Sequence, residues 1–517
     1  MSSIEVVLAL LVLATVLAAV ARRLRIPEPI ALTLAGIVVG LLPNVPPIEL
    51  EPELVFLLFL PPILYGAAFL TSIRDFKANL RPILLLSVGL VIFTTVVVAV
   101  VLKAVIPSIP WPAAFAFGAI VSPPDAVAAT AVFRRLGVPP RIVTILEGES
   151  LVNDATALVL LRTSLVAGSG AFSLVNAGAE LVVVAVGGIV VGLVVARIAG
   201  VFMARIQDSD IGIVLSLLTP AIAYVPAELL HVSGVLAVVT AGIYAGRLAA
   251  RTLNSAQRVE GLAAWNVVLF LINGLVFVLI GLQLPVILGE LEGSLTELLA
   301  LAAVVSVTVI VARFVWVFPA TYLPRLLSAR IRARDPSPKP SHVTIVAWAG
   351  MRGVVSLAAV LALPVDFPQR SLVQFLTFTV ILATLVLQGL TLPLLIKALR
   401  IDAGDGGLEE ERQARLIAAQ AAVDRIGQLE HEHVGHQELL DHLRETYAHR
   451  VEHVDISDGT PRDEAEAELL EHRKIRRQVI DAEREAIIRM RDRGELSDEV
   501  MRRLERDLDL EELREEG

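Results

Sequence analysis

The sequence predicts an all-α polytopic membrane protein with a helical cytosolic tail, and three observations predict it. The chain of 517 residues is 55% hydrophobic, its mean hydropathy is +0.72, and the apolar residues fall in runs long enough to cross a bilayer. Basic residues recur in every second connection between those runs. Charges are sparse to about residue 400 and dense beyond it, so the formal net charge of −9 describes the tail and points to no nucleic-acid partner. Two regions follow: a transmembrane part over 1–400 and a cytosolic tail over 401–517. With no cysteine, the chain has no disulfide framework, thiolate metal site or thiol nucleophile.

Thirteen candidate spans cover residues 4–22, 29–44, 53–72, 82–105, 112–134, 141–166, 173–204, 211–230, 233–248, 262–288, 296–324, 341–364 and 372–398. Span one has no basic region before it and is followed by Arg22, Arg23 and Arg25, the reverse of a cleavable signal, so it is retained. Spans two and nine are short, which suits tilted or partly re-entrant helices. The basic loops are the odd ones: Arg74, Lys77 and Arg81 in the third, Arg134, Arg135 and Arg141 in the fifth, Arg197 and Arg205 in the seventh. Arg247, Arg251 and Arg258 follow in the ninth, and Arg325 to Lys339 in the eleventh. The second loop is acidic and the fourth uncharged. Positive residues mark the cytoplasmic side, which puts the N-terminus outside and the C-terminus in the cytoplasm of a multi-pass plasma-membrane protein.

Two spans read as broken. Span five contains Ser122-Pro123-Pro124-Asp125, where consecutive prolines remove backbone donors. Span twelve contains Gly350-Met351-Arg352-Gly353, two glycines around an arginine at mid-membrane. Interrupted helices survive in a bilayer only where protein or a wet cavity covers the freed backbone, and they point to a transport site. The breaks are seven spans apart, which predicts inverted repeats of spans 1–6 and 8–13. In span seven, Gly187, Gly188 and Gly192 suit close helix packing, and in span ten Asn266 and Asn273 suit interhelical hydrogen bonds.

Span six holds the densest polar cluster: Glu147, then Gly148-Glu149-Ser150-Leu151-Val152-Asn153-Asp154. Helical spacing puts Ser150, Asn153 and Asp154 on roughly one side, with Glu149 near the edge. A hydroxyl, an amide oxygen and a carboxylate suit a small cation or a proton; the bland reading is polar glue between helices. Arg352 cannot practically lose its charge and needs an acid, for which Glu149 is the preferred partner. Asp125 and Asp154 then remain free. Two carboxylates close together in a low dielectric suit a proton held near neutral pH and released when a cation arrives. That competition is the minimal mechanism of an antiporter, most simply one proton per monovalent cation. The oxygen ligands do not separate Na⁺ from K⁺ or Li⁺. A tail-gated channel lacks a repeated carbonyl filter, and an enzyme lacks a nucleophile–base pair or metal cluster in the spans.

These motifs, with Leu60-Pro61-Pro62 in span three, resemble the monovalent cation/proton antiporters of the first kind, the group that includes the sodium/proton exchangers and their bacterial relatives. The resemblance covers about residues 1–400. It implies an electroneutral Na⁺/H⁺ antiporter needing no cofactor, a homodimer, and unwound helices crossing at spans five and twelve. It also implies that Asp125, Ser150 and Asp154 bind Na⁺, that Asp154 carries the proton, that Asn153 supports Asp154, and that Glu149 pairs with Arg352. Many members have another residue in place of Pro124, so the supporting backbone ligand there differs; many have an acid where this chain has Gly66, so any charge pair made by that acid is absent.

In the tail, residues 408–450 and 461–517 are charged, with Leu469, Leu470, Ile475, Val479, Ile480, Ile487 and Ile488 at helical spacing. Pro461 suits a helix start. Seven of the nine histidines lie here. The tail therefore reads as a helical regulatory or dimerising domain, with histidines suited to sensing cytosolic pH or to plain solvation.

Overall fold

The computed structural model describes residues 3–24, 26–43, 55–168, 174–206, 208–289, 291, 294–401, 406–432, 436–455, 478–490, 493, 500, 501, 504, 508 and 512. Among them every regular element is helical. The chain divides into two compact units, Met1–Ala403 and Gly404–Gly517.

In the first unit a helix occupies each stretch that hydropathy marks out, from Ser3–Leu24 to the run closing at Ala398. Eight described helices are long and apolar enough to cross a membrane: Leu80–Val105, Trp111–Phe133, Pro140–Gly168, Gly178–Met203, Ser209–Leu229, Ser255–Gly289, Thr296–Leu327 and Arg370–Ala398. Glu28–Gly40, Val55–Leu70 and Gly234–Ala249 are shorter and apolar. Outward faces carry valine where a water-soluble helix carries charge. Val182, Val186, Val190 and Val194, four residues apart, are each more than half exposed. Such a stripe suits acyl chains and not water.

Span seven turns its glycines inward. A side chain at Gly192 would meet the Ala237 carbonyl, and one at Gly188 the Ser233 carbonyl, so the Leu174–Met203 and Gly234–Thr252 helices touch backbone to backbone. Their packing role is thus filled within the protomer.

Spans five and twelve are both interrupted. Span five is Trp111–Val121 and Ala126–Leu136, with Ser122 to Asp125 between. Span twelve is Pro340–Trp348 and Val354–Leu361, with Ala349 to Gly353 between. Span thirteen is wound loosely as a π turn over Thr384–Gln388, which presents Thr384 to the second break.

In the second unit the helices Gly406–Glu432 and Gln437–Asp455 pack on each other, and residues 478–490 form a further helix. Ala419, Ile426, Leu440 and Ile480 are buried. Of the apolar tail positions, Leu469, Leu470 and Ile475 lie outside the described residues, as does Pro461.

Candidate functional site

The two breaks are bonded to each other. The Asp125 N–H donates to the Met351 carbonyl at 2.6 Å, so extended backbone of span five meets extended backbone of span twelve at the crossing. Gly353 makes the approach possible: a side chain there would fall on the Asp125 carboxylate.

Each break exposes helix starts and helix ends, and the charges answer them. The Asp125 carboxylate caps the Ala126–Leu136 helix, accepting from the Val127 N–H at 2.8 Å. It also takes a backbone hydrogen bond from Val354, the first residue of the second half of span twelve. Both are positive helix N-termini. Arg352 does the converse. Its Nε donates to the Val121 carbonyl at 3.1 Å, at the end of the first half of span five, and its Nη1 donates to the Gly350 carbonyl. The Arg352 N–H donates to Thr384 Oγ1 at 3.1 Å. The guanidinium thus rests on carbonyls at helix C-terminal ends, where the macrodipole is negative.

Here the structure corrects one expectation. Glu149 pairs with Arg313, not with Arg352. Arg313 on the Leu295–Leu327 helix donates Nη1 to Oε1 at 2.5 Å and Nη2 to Oε2 at 2.8 Å, a forked pair with both side chains at most 1% exposed. It also donates to the Val346 carbonyl from Nε and Nη2, each at 3.1 Å. The unbroken helix carries Arg313 to the carboxylate in plane, whereas the chain break supplies Arg352 with carbonyls. The signal for Arg313 is present in the sequence: it is a lone charge inside the apolar run Val309 to Phe318.

Asn153, expected to support Asp154, donates Nδ2 to the Pro124 carbonyl at 2.7 Å and so fastens span six to the first break; its Oδ1 is buried without a partner among the described residues. Pro124 thus enters through its carbonyl. Ser150 Oγ lies 3.4 Å from the Ala126 N–H, at the edge of hydrogen bonding.

What remains is a cavity of about 260 Å³. Asp125, Ser150 and Asp154 line it together with Pro124, Gly353 and Ser356. Asp154 is 6% exposed, and no described residue donates a hydrogen bond to it. Glu147 and the two asparagines of span ten, Asn266 and Asn273, reach the same space. Those asparagines read in sequence as interhelical glue, yet they face the acids, and Asn273 Oδ1 is buried without a partner. Val127 and Asn273 also border a second cavity of about 710 Å³, rimmed by Arg22, Glu28, Arg135 and Lys397. The acidic cavity therefore adjoins a wider one on the side of the basic loops. Among the described residues no group of three or more His, Asp or Glu forms a conventional metal centre; the oxygens on the cavity wall come from Asp125, Asp154 and Glu147, from Ser150 and Ser356, from the span-ten amides and from opened backbone.

The sequence model of a family described as sodium/hydrogen exchanger, transmembrane, matches residues 8–398. The chain belongs to that family. Among relatives, an exchanger-family protein of Mycobacterium tuberculosis, named an uncharacterized Na⁺/H⁺ exchanger, is 35% identical over 98% of this chain and 95% of its own. One from Bacillus subtilis, named a sodium, potassium, lithium and rubidium/H⁺ antiporter, is 31% identical over 92% of this chain and 72% of its own. In fold, the exchanger chain matches a sodium proton antiporter of Methanocaldococcus jannaschii with a TM-score of 0.61 at 22% identity, covering 77% of this chain and 98% of that one.

Proposed function

We propose that this chain exchanges a monovalent cation, Na⁺ foremost, for H⁺ across the plasma membrane by alternating access. The observation that carries the reading is the cavity that Asp125 and Asp154 both line beside two broken helices, with no guanidinium among the described residues bonded to either acid. Family membership supports exchange as the activity, and the names of the relatives support sodium and proton as the ions. Asp125, Asp154 and Ser150 are the cation ligands in this reading, and Asp154 carries the proton. Asn153, Pro124 and Arg352 hold the two breaks in place, and the Glu149–Arg313 pair fixes span six to span eleven.

Charge counting favours an electroneutral cycle. Glu149 and Arg313 cancel. Arg352, Asp125 and Asp154 together leave one net negative charge, which one Na⁺ or one H⁺ neutralises; Glu147, which also lines the cavity, is taken to keep one charge throughout and does not enter the exchange. A carrier that crosses only when neutral exchanges one for one, since an uncompensated charge in the bilayer core is costly. The chain crosses the membrane thirteen times as two inverted repeats, with its N-terminus outside, its C-terminus cytoplasmic and a second copy as partner. The wide cavity rimmed by Arg22, Arg135 and Lys397 then opens to the cytoplasm, and this is the inward-facing form.

The test is collapse of an imposed pH gradient in proteoliposomes on adding Na⁺, K⁺ or Li⁺, with Asp154→Asn alongside. Na⁺-driven collapse in the parent and none in Asp154→Asn is the expected result. A response to K⁺ alone changes the substrate, and a sustained exchange current under voltage clamp removes the one-for-one stoichiometry. No proton movement with any cation in folded protein overturns the reading.

A further inference from the structure

Away from the aspartate cavity and its neighbour, a further chamber of about 410 Å³ opens among the third, fifth and eleventh loops and the helix ends they join. Arg81, Arg141, Arg325 and Lys339 line it. One carboxylate answers them. Asp335 receives Arg81 Nη2 on Oδ2 at 2.6 Å, Arg141 Nη2 on Oδ1 at 2.6 Å and Arg325 Nη2 on Oδ2 at 2.7 Å. Four cationic side chains against one acid leave three positive charges in excess, and Lys339 has no ion pair among the described residues. Beside Thr321, Ser337 and His342, the rest of the wall is apolar and includes Leu85, Ile142, Val317 and Val343.

The chamber is built in advance. Its rim, Pro336-Ser337-Pro338-Lys339, lies in the stretch 335–340, whose three prolines at alternate positions fix φ. The three arginines clamp Asp335 at the start of that stretch. A ligand therefore meets a rim whose ordering cost is already met. A soluble anion would use the charges and waste the apolar wall. A hydrocarbon chain would use the wall and waste the charges. A phosphodiester headgroup attached to an acyl chain uses both, and the basic loops face the leaflet where anionic lipid concentrates.

We propose that this chamber is a binding site for an anionic phospholipid, its phosphate beside Lys339 and the arginines and its acyl chain along Leu85, Ile142, Val317 and Val343. The site is separate from the transported ions, and none of its cations touches the aspartate cavity.

The experiment uses the full chain in mild detergent, titrated with phosphatidylglycerol, phosphatidylcholine or inorganic phosphate, with retained lipid counted by native mass spectrometry and protection read from melting. Phosphatidylglycerol is expected to stay bound and raise the melting temperature where phosphatidylcholine does neither. Lys339→Gln is expected to weaken retention about fivefold and Lys339→Arg to restore it. Ala320→Trp, which fills the chamber from the apolar side, is expected to abolish retention. Should Ala320→Trp fail to fold, the Lys339 pair decides alone. Equal binding of the two lipids, unchanged retention in Lys339→Gln, or equal protection by inorganic phosphate overturns the proposal, the last by identifying a free anion as the ligand.

Discussion

Glu149 and Asp154 sit on the same helix, Pro140–Gly168, both almost wholly buried, and their surroundings are opposite. Glu149 is gripped by both arms of Arg313 and lines none of the cavities described above. Asp154 faces the cavity with Asp125 and takes no hydrogen bond from a described residue. Burial of charge alone therefore does not separate the two acids; the partner does. In the antiport reading proposed above, an acid that binds and releases ions is kept away from a guanidinium, which a small ion cannot displace at useful cost, and an acid that holds two helices together is given one.

The sharpest way to break this contrast is to swap the consequences. Glu149→Gln leaves Arg313 charged and uncompensated in the interior, which costs roughly 3–5 kcal/mol. It is expected to lower the melting temperature further than a single change at Asn153 or Asp335. Replacing both partners, Glu149→Leu with Arg313→Leu, is expected to recover most of that loss and to leave cation-driven proton movement measurable. If Glu149→Gln instead melts like the parent but carries no ions, Glu149 is a transport residue and the contrast fails.

Asn153 tests the next level down. Its Nδ2 is the tie between span six and the Pro124 carbonyl. Asn153→Ala leaves that carbonyl buried without this donor, at a cost of about 1–3 kcal/mol. Asp125 and Asp154 stay in place but lose their fixed spacing. The expected outcome is a modest fall in melting temperature together with a raised KM for Na⁺, with exchange retained. A complete loss of transport at unchanged stability would make Asn153 an ion ligand instead of a brace.

Much of this site is legible in the amino-acid sequence alone. The proline pair of span five and the Gly-Met-Arg-Gly stretch of span twelve announce themselves chemically, because each removes or loosens local backbone bonding. Both breaks fall at those residues. Asp125, Ser150 and Asp154 likewise share the one cavity that their types and spacing suggest. The partner of Glu149 is not legible, for a physical reason. A straight apolar helix such as Leu295–Leu327 carries no mark of which face meets which neighbour, so sequence shows that Arg313 is a buried charge and not whose. The π turn at Thr384 is invisible in the same way, since it arises where span thirteen bends to meet the Arg352 N–H. Chemistry written along one helix can be read; phase between helices cannot.

Outside the membrane interior the same contrast has a third member, and it yields the smallest effect. Asp335 holds three arginines and leaves about a fifth of its side chain exposed. Partial burial alone would raise its carboxyl above the ordinary 3.8, but the hydrogen bonds and charges of Arg141 and Arg325 outweigh burial and hold it below. A carboxyl depressed in the folded state contributes stability that is fully present above its unfolded pKa and lost as pH falls through the folded one. The difference in stability between the parent and Asp335→Asn is therefore expected to be constant from neutral pH down to about pH 4 and to shrink below it. High salt is expected to reduce that difference, because water reaches the cluster and screens it. Melting curves of the two proteins at several pH values and two salt concentrations check both points. A difference that grows below pH 4 would mean that Asp335 is not held by its arginines. Asp335 would then belong with the unpartnered acids and not with Glu149.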